Sequence, residues 1–441
     1  MTPHTLSDWL DYQQRIHPRG IELGLDRVRA AWHALGARRP APIVITVGGT
    51  NGKGTTVAML EAMLRATGRR VAAYTSPHLV RYNERLRING VEPIDAAWMA
   101  VFERIERARG TIPLTYFEFG TLAALELAAD AGVDVALLEV GLGGRLDAVN
   151  IVDADVAIVV SIGIDHTEYL GADRDSIGRE KAGIFRAGHA AIIGDRDPPA
   201  GLLEGAERIG ACVLRAGRDF GITADDARVL TALPGSRAAS HGDGDRLLWQ
   251  CRGTTIELDA AVLDAPGRID NAACALAALH ALRGVLGWPE REYARGLAST
   301  RLPARVQRIP GPPEIIVDVA HNPHAARALV GWLDRHPPAG RTLAVFSALV
   351  DKDVAAIGAI LGPRIARWHL CALADAGARS LDAAEVLRRL RGGWSALNAD
   401  CHADPAAALA AALGEAAHDD RILAFGSFHL AGSVLAAMRQ V

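Results

Sequence analysis

Lysine is almost absent from this chain of 441 residues: Lys and Arg together number 48, and only Lys53, Lys181 and Lys352 are lysines. By subtraction from 48, the other 45 basic residues are arginine. Arginine does not readily lose its proton, and its planar fork does not replace a compact ammonium ion at every site. The three lysines therefore either mark positions that require an amine or are chance remnants of codon bias.

Cysteine is scarce as well, and the pattern excludes two kinds of site. The five residues are odd in number and contain no Cys-x-x-Cys pair: Cys212, Cys251, Cys274, Cys371 and Cys401. A disulfide framework and a thiolate zinc site are therefore not expected. Residues 1–20 lack the apolar core of a signal peptide, and no run of about 18 apolar residues predicts a membrane span. We expect a cytoplasmic protein.

Charge of either sign is nearly balanced, since the formal net charge is only −3. This value gives no reason to expect nucleic acid or a membrane surface as a partner. Half of the residues are hydrophobic, and the chain is too long for one core. The sequence therefore predicts two domains.

Short hydrophobic runs alternate with helical patterns in the first part of the chain. The runs lie at residues 43–47, 71–75, 135–140, 156–162 and 190–194. Such nearly continuous hydrophobicity is typical of buried strands in a mostly parallel sheet with helices on both faces. Residues 222–263, which include HGDGD at 241–245, predict a small antiparallel insertion, and a helix is expected at 271–284.

A second α/β series follows a predicted linker at residues 297–304. We expect domains at residues 1–296 and 305–441. The predicted strands of the second series are 315–319, 343–346, 368–373 and 422–425, and the predicted helices are 323–335, 354–361, 381–390 and 405–417. Asn322 is predicted to cap the first of these helices, with Pro323 at its first position. Two such domains would enclose a cleft, the usual place for a two-substrate enzyme.

The glycine-rich loop VGGTNGKGTT at residues 47–56 follows a predicted strand and opens a predicted helix. In that context, backbone N–H groups and the helix N-terminus face an anion, and Lys53 reaches the β- and γ-phosphates. The usual motif has Ser or Thr directly after the lysine, but here Gly54 follows, so Thr55 or Thr56 must serve the metal. This departure weakens a generic kinase or GTPase interpretation without weakening phosphate binding.

Polar side chains follow three other predicted strands. Ser76, Glu139 and His166 lie at or after the ends of the runs 71–75, 135–140 and 156–162. Because ligands of open α/β sheets collect at the carboxyl ends of the strands, we expect these residues to converge on a metal beside the nucleotide. Histidine is an unusual Mg²⁺ ligand, so a structural or capping role for His166 is the alternative.

Seven motifs in fixed order resemble those of the bifunctional dihydrofolate synthase/folylpolyglutamate synthase family. They are GTNGKGT at 49–55, TSPHL at 75–79, YFEFG at 116–120, LEVGLGGRLD at 138–147, DH at 165–166, EKAG at 180–183 and DVAHNP at 318–323. The similarity extends from LGLDR at 23–27 to GSFH at 426–429. One departure is Arg268, where many members of the family have histidine.

The resemblance implies both a fold and a reaction. The implied fold is an N-terminal P-loop ATPase domain like that of Mur ligases, with a mostly parallel sheet, and a smaller C-terminal Rossmann-like α/β domain. The implied reaction uses ATP to phosphorylate the carboxylate of 7,8-dihydropteroate or a reduced folate, and the amine of L-glutamate then attacks the acyl phosphate. ATP and two Mg²⁺ ions are the expected cofactors, and the chain is expected to act as a monomer.

The resemblance also implies roles for individual residues. ATP would be held by Thr50, Asn51, Gly52, Lys53, Gly54, Thr55, Asn271, Arg305 and Asp318, and Mg²⁺ by Ser76, Glu139 and His166. The pterin or folate pocket would be formed by Leu25, Asp26, Arg27, Thr115, Tyr116, Phe117, Glu118, Leu146, Asp147 and Ala148. Lys181 matches the carbamylated lysine (N6-carboxylysine) of the family, and His321 would lie near the incoming glutamate. Lys53, Lys181 and His321 would form the catalytic set.

Alternatives remain for the chain and for its other lysines. A Mur ligase of cell-wall synthesis carries an additional N-terminal domain of about 100 residues, whereas 47 residues precede Gly48 here. A P-loop switch protein that binds a partner would leave the second domain without a role. Lys181 alternatively lies on a helix surface, paired with Glu180 or another acid. Lys352, between Asp351 and Asp353, alternatively lies in a solvated loop.

Overall fold

The computed structural model describes residues 3–224 and 246–438, and its largest sheet has seven strands in the order β3-β2-β4-β1-β5-β6-β7. All neighbouring strands are parallel except β2 and β3. The strands are β1 (Ile43–Gly48), β2 (Val71–Tyr74), β3 (Leu86–Ile88), β4 (Val135–Glu139), β5 (Val156–Val159), β6 (Ala190–Ile193) and β7 (Cys212–Arg215). The accompanying helices are α1 (Leu6–Ile16), α2 (Asp26–Ala34), α3 (Lys53–Ala66), α4 (Asp95–Arg109), α5 (Tyr116–Ala131), α6 (Thr167–Leu170), α7 (Arg174–Ala182) and α8 (Ala200–Ile209).

A small antiparallel sheet follows, in the order β10-β9-β8. It consists of β8 (Phe220–Ala224), β9 (Arg246–Cys251) and β10 (Thr254–Asp259), and helices α9 (Arg268–Ala281), α10 (Arg283–Leu286) and α11 (Glu290–Ala298) come after it. The antiparallel insertion predicted for residues 222–263 is therefore confirmed. Its HGDGD segment at 241–245 lies outside the described residues.

The large sheet is buried on both faces, as its hydrophobic strands predict. Val44 of β1 packs into one core with Leu122 of α5, whereas the next residue, Ile45, packs into a second core with Leu60 of α3 and Leu276 of α9. All five of these side chains are fully buried. Because neighbouring side chains along a strand face opposite sides, a strand covered by helices on both sides has no polar face.

The remaining sheet has six strands in the order β11-β12-β16-β13-β14-β15, parallel except for β11 with β12. Its elements are β11 (Gln307–Ile309), β12 (Glu314–Val317), α12 (Pro323–Arg335), β13 (Thr342–Phe346), α13 (Val354–Leu361), β14 (Arg367–Cys371), α14 (Ala383–Gly393), β15 (Ala399–His402), α15 (Pro405–Glu415), β16 (Arg421–Phe425) and α16 (Phe428–Met438). The predicted fold class, with two mostly parallel α/β sheets, is confirmed.

Several predicted boundaries are wrong at their ends. The strand predicted at 156–162 stops at Val159, because the following residues leave the sheet and run beside the glycine-rich loop. The strand predicted at 368–373 is β14, which ends at Cys371. The short strands β3, β7, β11 and β15 were not predicted. Among the described residues, no helix combines the length and the apolar character needed to cross a membrane.

Candidate active site

The glycine-rich loop connects β1 to α3 and is held by the segment that follows β5. The N–H of Thr50 donates to the carbonyl of Ser161 at 2.8 Å, and the N–H of Asn51 donates to the Ser161 hydroxyl at 3.1 Å. Gly52 caps α3 with a φ of 89°, and a Cβ built there would lie 2.4 Å from Oδ1 of Asn271. Only glycine fits this position. Four of the residues predicted to bind ATP therefore lie next to one another: Thr50, Asn51, Gly52 and Asn271.

Lys53 is the first residue of α3, and its ammonium group folds back over the loop. Nζ donates to the carbonyls of Gly49 at 3.1 Å and Thr50 at 3.3 Å. The unpaired N–H groups of a helix N-terminus attract anions, and an ammonium ion beside them adds a full positive charge. The loop therefore has the geometry of a phosphate site.

The two threonines after Lys53 differ in their contacts. The Thr56 hydroxyl donates to the carbonyl of Gly52 at 3.0 Å, as helix-interior threonines often do. This contact leaves Thr55 as the better candidate for a metal ligand. Gly54 lies beside Glu139, since a Cβ at that position would be 3.4 Å from Glu139 Oε2.

Glu139 ends β4 with its carboxylate directed at the loop. The side chain is buried, and Oε2 accepts a hydrogen bond from the N–H of Ser76 at 3.2 Å. Burial raises the pKa of Glu139, while nearby Lys53 acts in the opposite direction. In the described part of the chain, no basic side chain lies within 4.0 Å of this carboxylate. A buried acid with free lone pairs and no cationic partner fits a divalent cation.

His166 lies at the other side of the loop, at the N-cap position of the short helix α6. Its backbone is left-handed, with φ of 51°, and its side chain makes no capping hydrogen bond. A capping role is therefore not supported. Burial and then Lys352 lower the pKa of His166, which keeps the imidazole in the neutral form that a metal binds.

The predicted metal set is small, because Ser76 adds only a hydroxyl to one carboxylate and one imidazole. Within residues 3–224 and 246–438, no three His, Cys, Asp or Glu side chains are close enough together to hold a metal ion. Such a set leaves room for substrate oxygens and water, which are common Mg²⁺ ligands at nucleotide sites.

Lys181 is buried on α7, with 3% of its surface exposed. Burial lowers the pKa of Lys181 to about 7, and the positive charge of Lys53 acts in the same direction. Glu180 pairs instead with Arg145, at 2.8 Å. The alternative of a helix-surface lysine paired with Glu180 is therefore wrong. A partly neutral amine is the form that can react with CO₂.

The segment before α12 reaches across to the glycine-rich loop, a contact that the sequence did not predict. The side-chain amides of Asn51 and Asn322 exchange two hydrogen bonds, at 3.2 and 3.1 Å. The amide nitrogen of Asn51 also lies 2.8 Å from Nδ1 of His324. Asn322 simultaneously caps α12, accepting from the N–H of Ala325 at 2.9 Å, as predicted.

A second contact across the cleft joins Lys352 to Asp165. Nζ of Lys352 lies 2.7 Å from Oδ1 of Asp165 and 3.3 Å from Asp351, and the Lys352 side chain is 5% exposed. Oδ2 of Asp165 accepts from Asn322 at 3.1 Å and lies 3.8 Å from Nε2 of His321. Although burial opposes ionisation, Lys352 and His166 hold the pKa of Asp165 well below its usual range. The solvated-loop alternative for Lys352 is wrong.

His321 faces the same cleft as a neutral ring. Its Nδ1 lies 2.8 Å from the carbonyl of Val319, a contact that requires a proton on Nδ1. Burial, followed by the charge of Lys352, lowers the pKa of His321 to about 4. His321 therefore lies where the two α/β units meet, 3.8 Å from Asp165, and its place near the incoming glutamate stays a prediction.

Arg305 and Asp318, predicted to contact the nucleotide, are neighbours beside this cleft. Both oxygens of Asp318 accept backbone hydrogen bonds, from Val306 at 2.8 Å and Ala320 at 2.7 Å. Val306 has a φ of 49°, which is strained for a β-branched residue. The Arg305 guanidinium lies 5.1 Å from the ring centre of Phe428. Asp318 thus holds the strained segment that presents Arg305.

The three segments predicted to form the pterin pocket meet at one end of the large sheet. Arg27 of α2 reaches Glu118 of α5 at 3.2 Å, and the N–H of Gly24 donates to the carbonyl of Leu146 at 3.3 Å. Thr115 and Glu118 form a reciprocal cap at the start of α5, with bonds of 3.2 and 2.7 Å. Leu25 and Asp26 lie at the start of α2.

Other members of this predicted pocket shape its wall. Phe117 covers Gly141, where an added Cβ would lie 2.5 Å from the phenyl ring. Tyr116 lies beside Arg85, whose guanidinium carbon is 5.4 Å from the centre of the tyrosine ring. Burial raises the pKa of Asp147 to about 6. Both of its oxygens accept backbone N–H groups, so it fixes the loop that precedes the buried Ala148.

Comparisons with known proteins agree with this arrangement. Residues 47–279 match the Mur ligase middle domain, and residues 304–428 match the Mur ligase glutamate ligase domain. The dihydrofolate synthase/folylpolyglutamate synthase of Escherichia coli is 44% identical over 430 residues, which cover 98% of this chain and 94% of that protein. The chain belongs to the dihydrofolate synthase/folylpolyglutamate synthase family of Mur ligases. Members of this family are ATP-dependent ligases.

Two solved structures from this family are similar over their full length. Escherichia coli FolC in complex with DHPP and ADP is 42% identical, with a TM-score of 0.89 and coverage of 100% of this chain and 99% of that chain. A bifunctional folylpolyglutamate synthase/dihydrofolate synthase with Mn, AMPPNP and L-glutamate bound is 40% identical, with a TM-score of 0.86 and 100% coverage of both chains. The family resemblance and the ligase fold predicted from the motifs are confirmed.

Replacing Glu139 by glutamine is expected to shift the Mg²⁺ requirement of this ligase to a concentration about tenfold or more higher. Glutamine keeps the shape but removes the negative charge that would attract the ion. His166→Ala is expected to act in the same direction. The measurement is the initial rate as a function of Mg²⁺ concentration at saturating ATP.

Glu61→Gln is the control, because Glu61 is a buried carboxylate that pairs with Arg87 at 2.7 Å. An unchanged Mg²⁺ dependence in both Glu139→Gln and His166→Ala would contradict the assignment of these residues to a metal site.

Proposed function

We propose that this chain joins L-glutamate to 7,8-dihydropteroate and adds L-glutamate to reduced folates, with ATP as the source of energy. A carboxylate oxygen of the pterin substrate attacks the γ-phosphorus of ATP, and ADP leaves. The free amine of glutamate then attacks the carbonyl carbon of the acyl phosphate. The C–N bond forms, phosphate leaves, and the amine loses a proton.

One observation carries this proposal: the phosphate loop of the first α/β unit and the start of α12 in the second meet within hydrogen-bonding distance. The reciprocal amide pair of Asn51 and Asn322 makes this contact at 3.2 and 3.1 Å. A nucleotide on the loop and an amine beside His321 would therefore share one cleft. The relatives bound to DHPP and ADP, or to AMPPNP and L-glutamate, support the same pairing of ligands.

The side chains around the loop have separate roles in this reaction. Lys53 and the N-terminus of α3 bind the phosphates and stabilise the charge that develops during transfer. We propose that Ser76, Glu139 and His166 hold Mg²⁺, which when bound neutralises phosphate charge. We propose further that Thr50, Asn51, Gly52, Gly54, Thr55, Asn271, Arg305 and Asp318 complete the ATP site.

Water must be kept from the acyl phosphate until the amine arrives. Closure of the two α/β units over the cleft would exclude water and hold the amine in line for attack. We propose that Arg27, Thr115, Phe117 and Glu118 belong to the pterin side of this cleft, with Leu25, Asp26, Tyr116, Leu146, Asp147 and Ala148 around them.

The domain division belongs to the same proposal. We place the ATP-binding domain at residues 1–296, the linker at 297–304 and the glutamate-ligase domain at 305–441. Helix α11 ends at Ala298 and β11 begins at Gln307, which supports this division. We propose that the chain acts as a monomer in the cytoplasm, on small molecules alone, and the five free cysteines are consistent with a reducing compartment.

ADP release distinguishes this function from its alternatives. With ATP and Mg²⁺ present, we expect rapid release only when L-glutamate and 7,8-dihydropteroate are both added, and one amide bond formed for each ADP. A cell-wall ligase would respond to neither substrate. A P-loop switch protein would hydrolyse ATP at the same rate with and without them. Either result would contradict the proposed reaction.

A further inference from the structure

Among the charge contacts between the two α/β units in the described residues is the ion pair of Asp165 and Lys352, at 2.7 Å. Asp165 lies just before α6, and Lys352 lies just before α13, 187 residues later. Their side chains are 11% and 5% exposed. The pair is therefore buried where the units meet, whereas most ion pairs in proteins lie at the surface.

A buried ion pair is a poor source of stability but a strong constraint on geometry. Removing two charges from water costs free energy that their attraction only roughly offsets, and separating them leaves each charge without its partner. A rotation of one unit against the other about an axis away from this contact would separate Asp165 from Lys352. The pair therefore favours one relative orientation over its neighbours.

The carboxylate of Asp165 makes two further contacts in the cleft. Its second oxygen accepts from Asn322 at 3.1 Å, and Asn322 in turn exchanges hydrogen bonds with Asn51 of the phosphate loop. Nε2 of His321 lies 3.8 Å from that oxygen. On the opposite side, Asp351 lies 3.3 Å from Lys352 and is itself held by Arg379 at 2.8 Å. Lys352 is thus anchored within its own unit and reaches across to the other.

We propose that Asp165 and Lys352 form an interdomain lock that sets the orientation of the two units and keeps water out of the cleft during amide formation. Both are positioning residues, since they act through Asn322, His321 and the phosphate loop. This inference deepens the proposed function, on which its kinetic part rests. It also accounts for Lys352 in a chain with only three lysines: a compact ammonium fits between two carboxylates.

The kinetic test compares ADP release with amide formation in Lys352→Met and Asp165→Asn. In the wild-type enzyme, about one amide is expected per ADP, because the acyl phosphate reacts with glutamate. In both variants, we expect the amide rate to fall about tenfold and the ratio of ADP to amide to rise severalfold, since water hydrolyses the acyl phosphate. The KM for ATP is expected to stay within about twofold, because the phosphate loop is intact.

The double variant separates a shared contact from two independent ones. If Asp165 and Lys352 act only through each other, the double variant will have the same amide rate and the same ratio of ADP to amide as either single variant. Asp165→Asn keeps the side-chain shape, so it remains informative if Lys352→Met folds poorly. The matched control is Asp420→Asn, since Asp420 is a buried carboxylate paired with Arg341 at 2.8 Å inside one unit. We expect this control to keep about one amide per ADP.

The orientation itself is measured with labels on native cysteines. Cys212 on β7 and Cys401 on β15 are exposed, one in each unit, whereas Cys251, Cys274 and Cys371 are buried. Spin labels on the exposed pair give an interdomain distance by pulsed electron resonance in the full-length protein. We expect one narrow distribution in the wild-type protein and in Asp420→Asn, and a broad one in Lys352→Met and Asp165→Asn.

The proposed lock requires both a higher ratio of ADP to amide and a broader distance distribution in Lys352→Met and Asp165→Asn. An unchanged distance distribution in the two lock variants overturns it, and so does a ratio of one amide per ADP in variants whose distribution has broadened. If the wild-type enzyme forms no amide with glutamate, the proposed function fails instead, and the distance measurement still decides whether the ion pair fixes the domains.

Discussion

Replacing Lys53 by alanine is expected to reduce the rate of amide formation by about 1,000-fold or more while leaving the fold intact. Its ammonium lies over the phosphate loop, 3.1 Å from the carbonyl of Gly49. Lys53→Arg is expected to fail as well, because the guanidinium fork is larger than the space an ammonium ion occupies. The measurement is kcat for ligation, with circular dichroism to confirm folding.

Arg65→Ala provides the control for this prediction. Arg65 is an exposed cation in the last turn of α3, the helix that Lys53 begins. Its loss changes the net charge by the same amount but should leave the ligation rate within about twofold, because exposed charges contribute little at this distance. Near-normal turnover in Lys53→Ala would contradict the assignment of the loop to the nucleotide.

The second large effect is expected at Lys181. We propose that CO₂ converts its amine to a carbamate, which changes a buried cation into an anion near the phosphate loop. The burial of Lys181 supports this proposal, because burial lowers its pKa to about 7 and leaves neutral amine available at neutral pH. Lys181→Arg should therefore lose about 100-fold in kcat without losing stability, since arginine offers no neutral amine.

Arg179→Lys is the matched exchange in the opposite direction. Arg179 lies on the exposed side of the same helix, so this change should leave activity unaltered. In Lys181→Ala, added formate or acetate is expected to restore part of the activity by supplying a carboxylate. The deciding observation is electron density beyond Nζ in a nucleotide-bound crystal. A plain ammonium group there, together with an active Lys181→Arg enzyme, would end the proposal.

The central strands and the site at their carboxyl ends could be predicted from the sequence, because their signals are local. Continuous hydrophobic runs identify β1 and β4. The glycine-rich loop follows β1 directly, and Glu139 is the last residue of β4. Helix α12 was predicted to the residue, because Asn322 and Pro323 specify its first turn. The strands β3 and β15 were missed, because their sequences, LRI and ADCH, contain charged or polar residues and form no continuous hydrophobic run.

The contacts across the cleft could not be predicted in the same way. Asn322 was already explained as a helix cap, and its second bond, to Asn51, has no local signal. Lys352 lies between two aspartates, a pattern equally typical of a solvated loop, and its partner Asp165 is 187 residues away. The rarity of lysine was the one available indication. It marked the residue without indicating its partner.

The short strands at the ends of both sheets have a consequence for the behaviour of the chain at high concentration. β3 and β11 have three residues each, and each turns antiparallel at one edge of an otherwise parallel sheet. Long exposed edges act as templates on which a second molecule can add a strand, and such templates lead to aggregation. Three residues offer few free N–H and C=O groups for that addition. A second copy of the chain therefore finds few unpaired backbone groups at these two edges with which to form a strand pair.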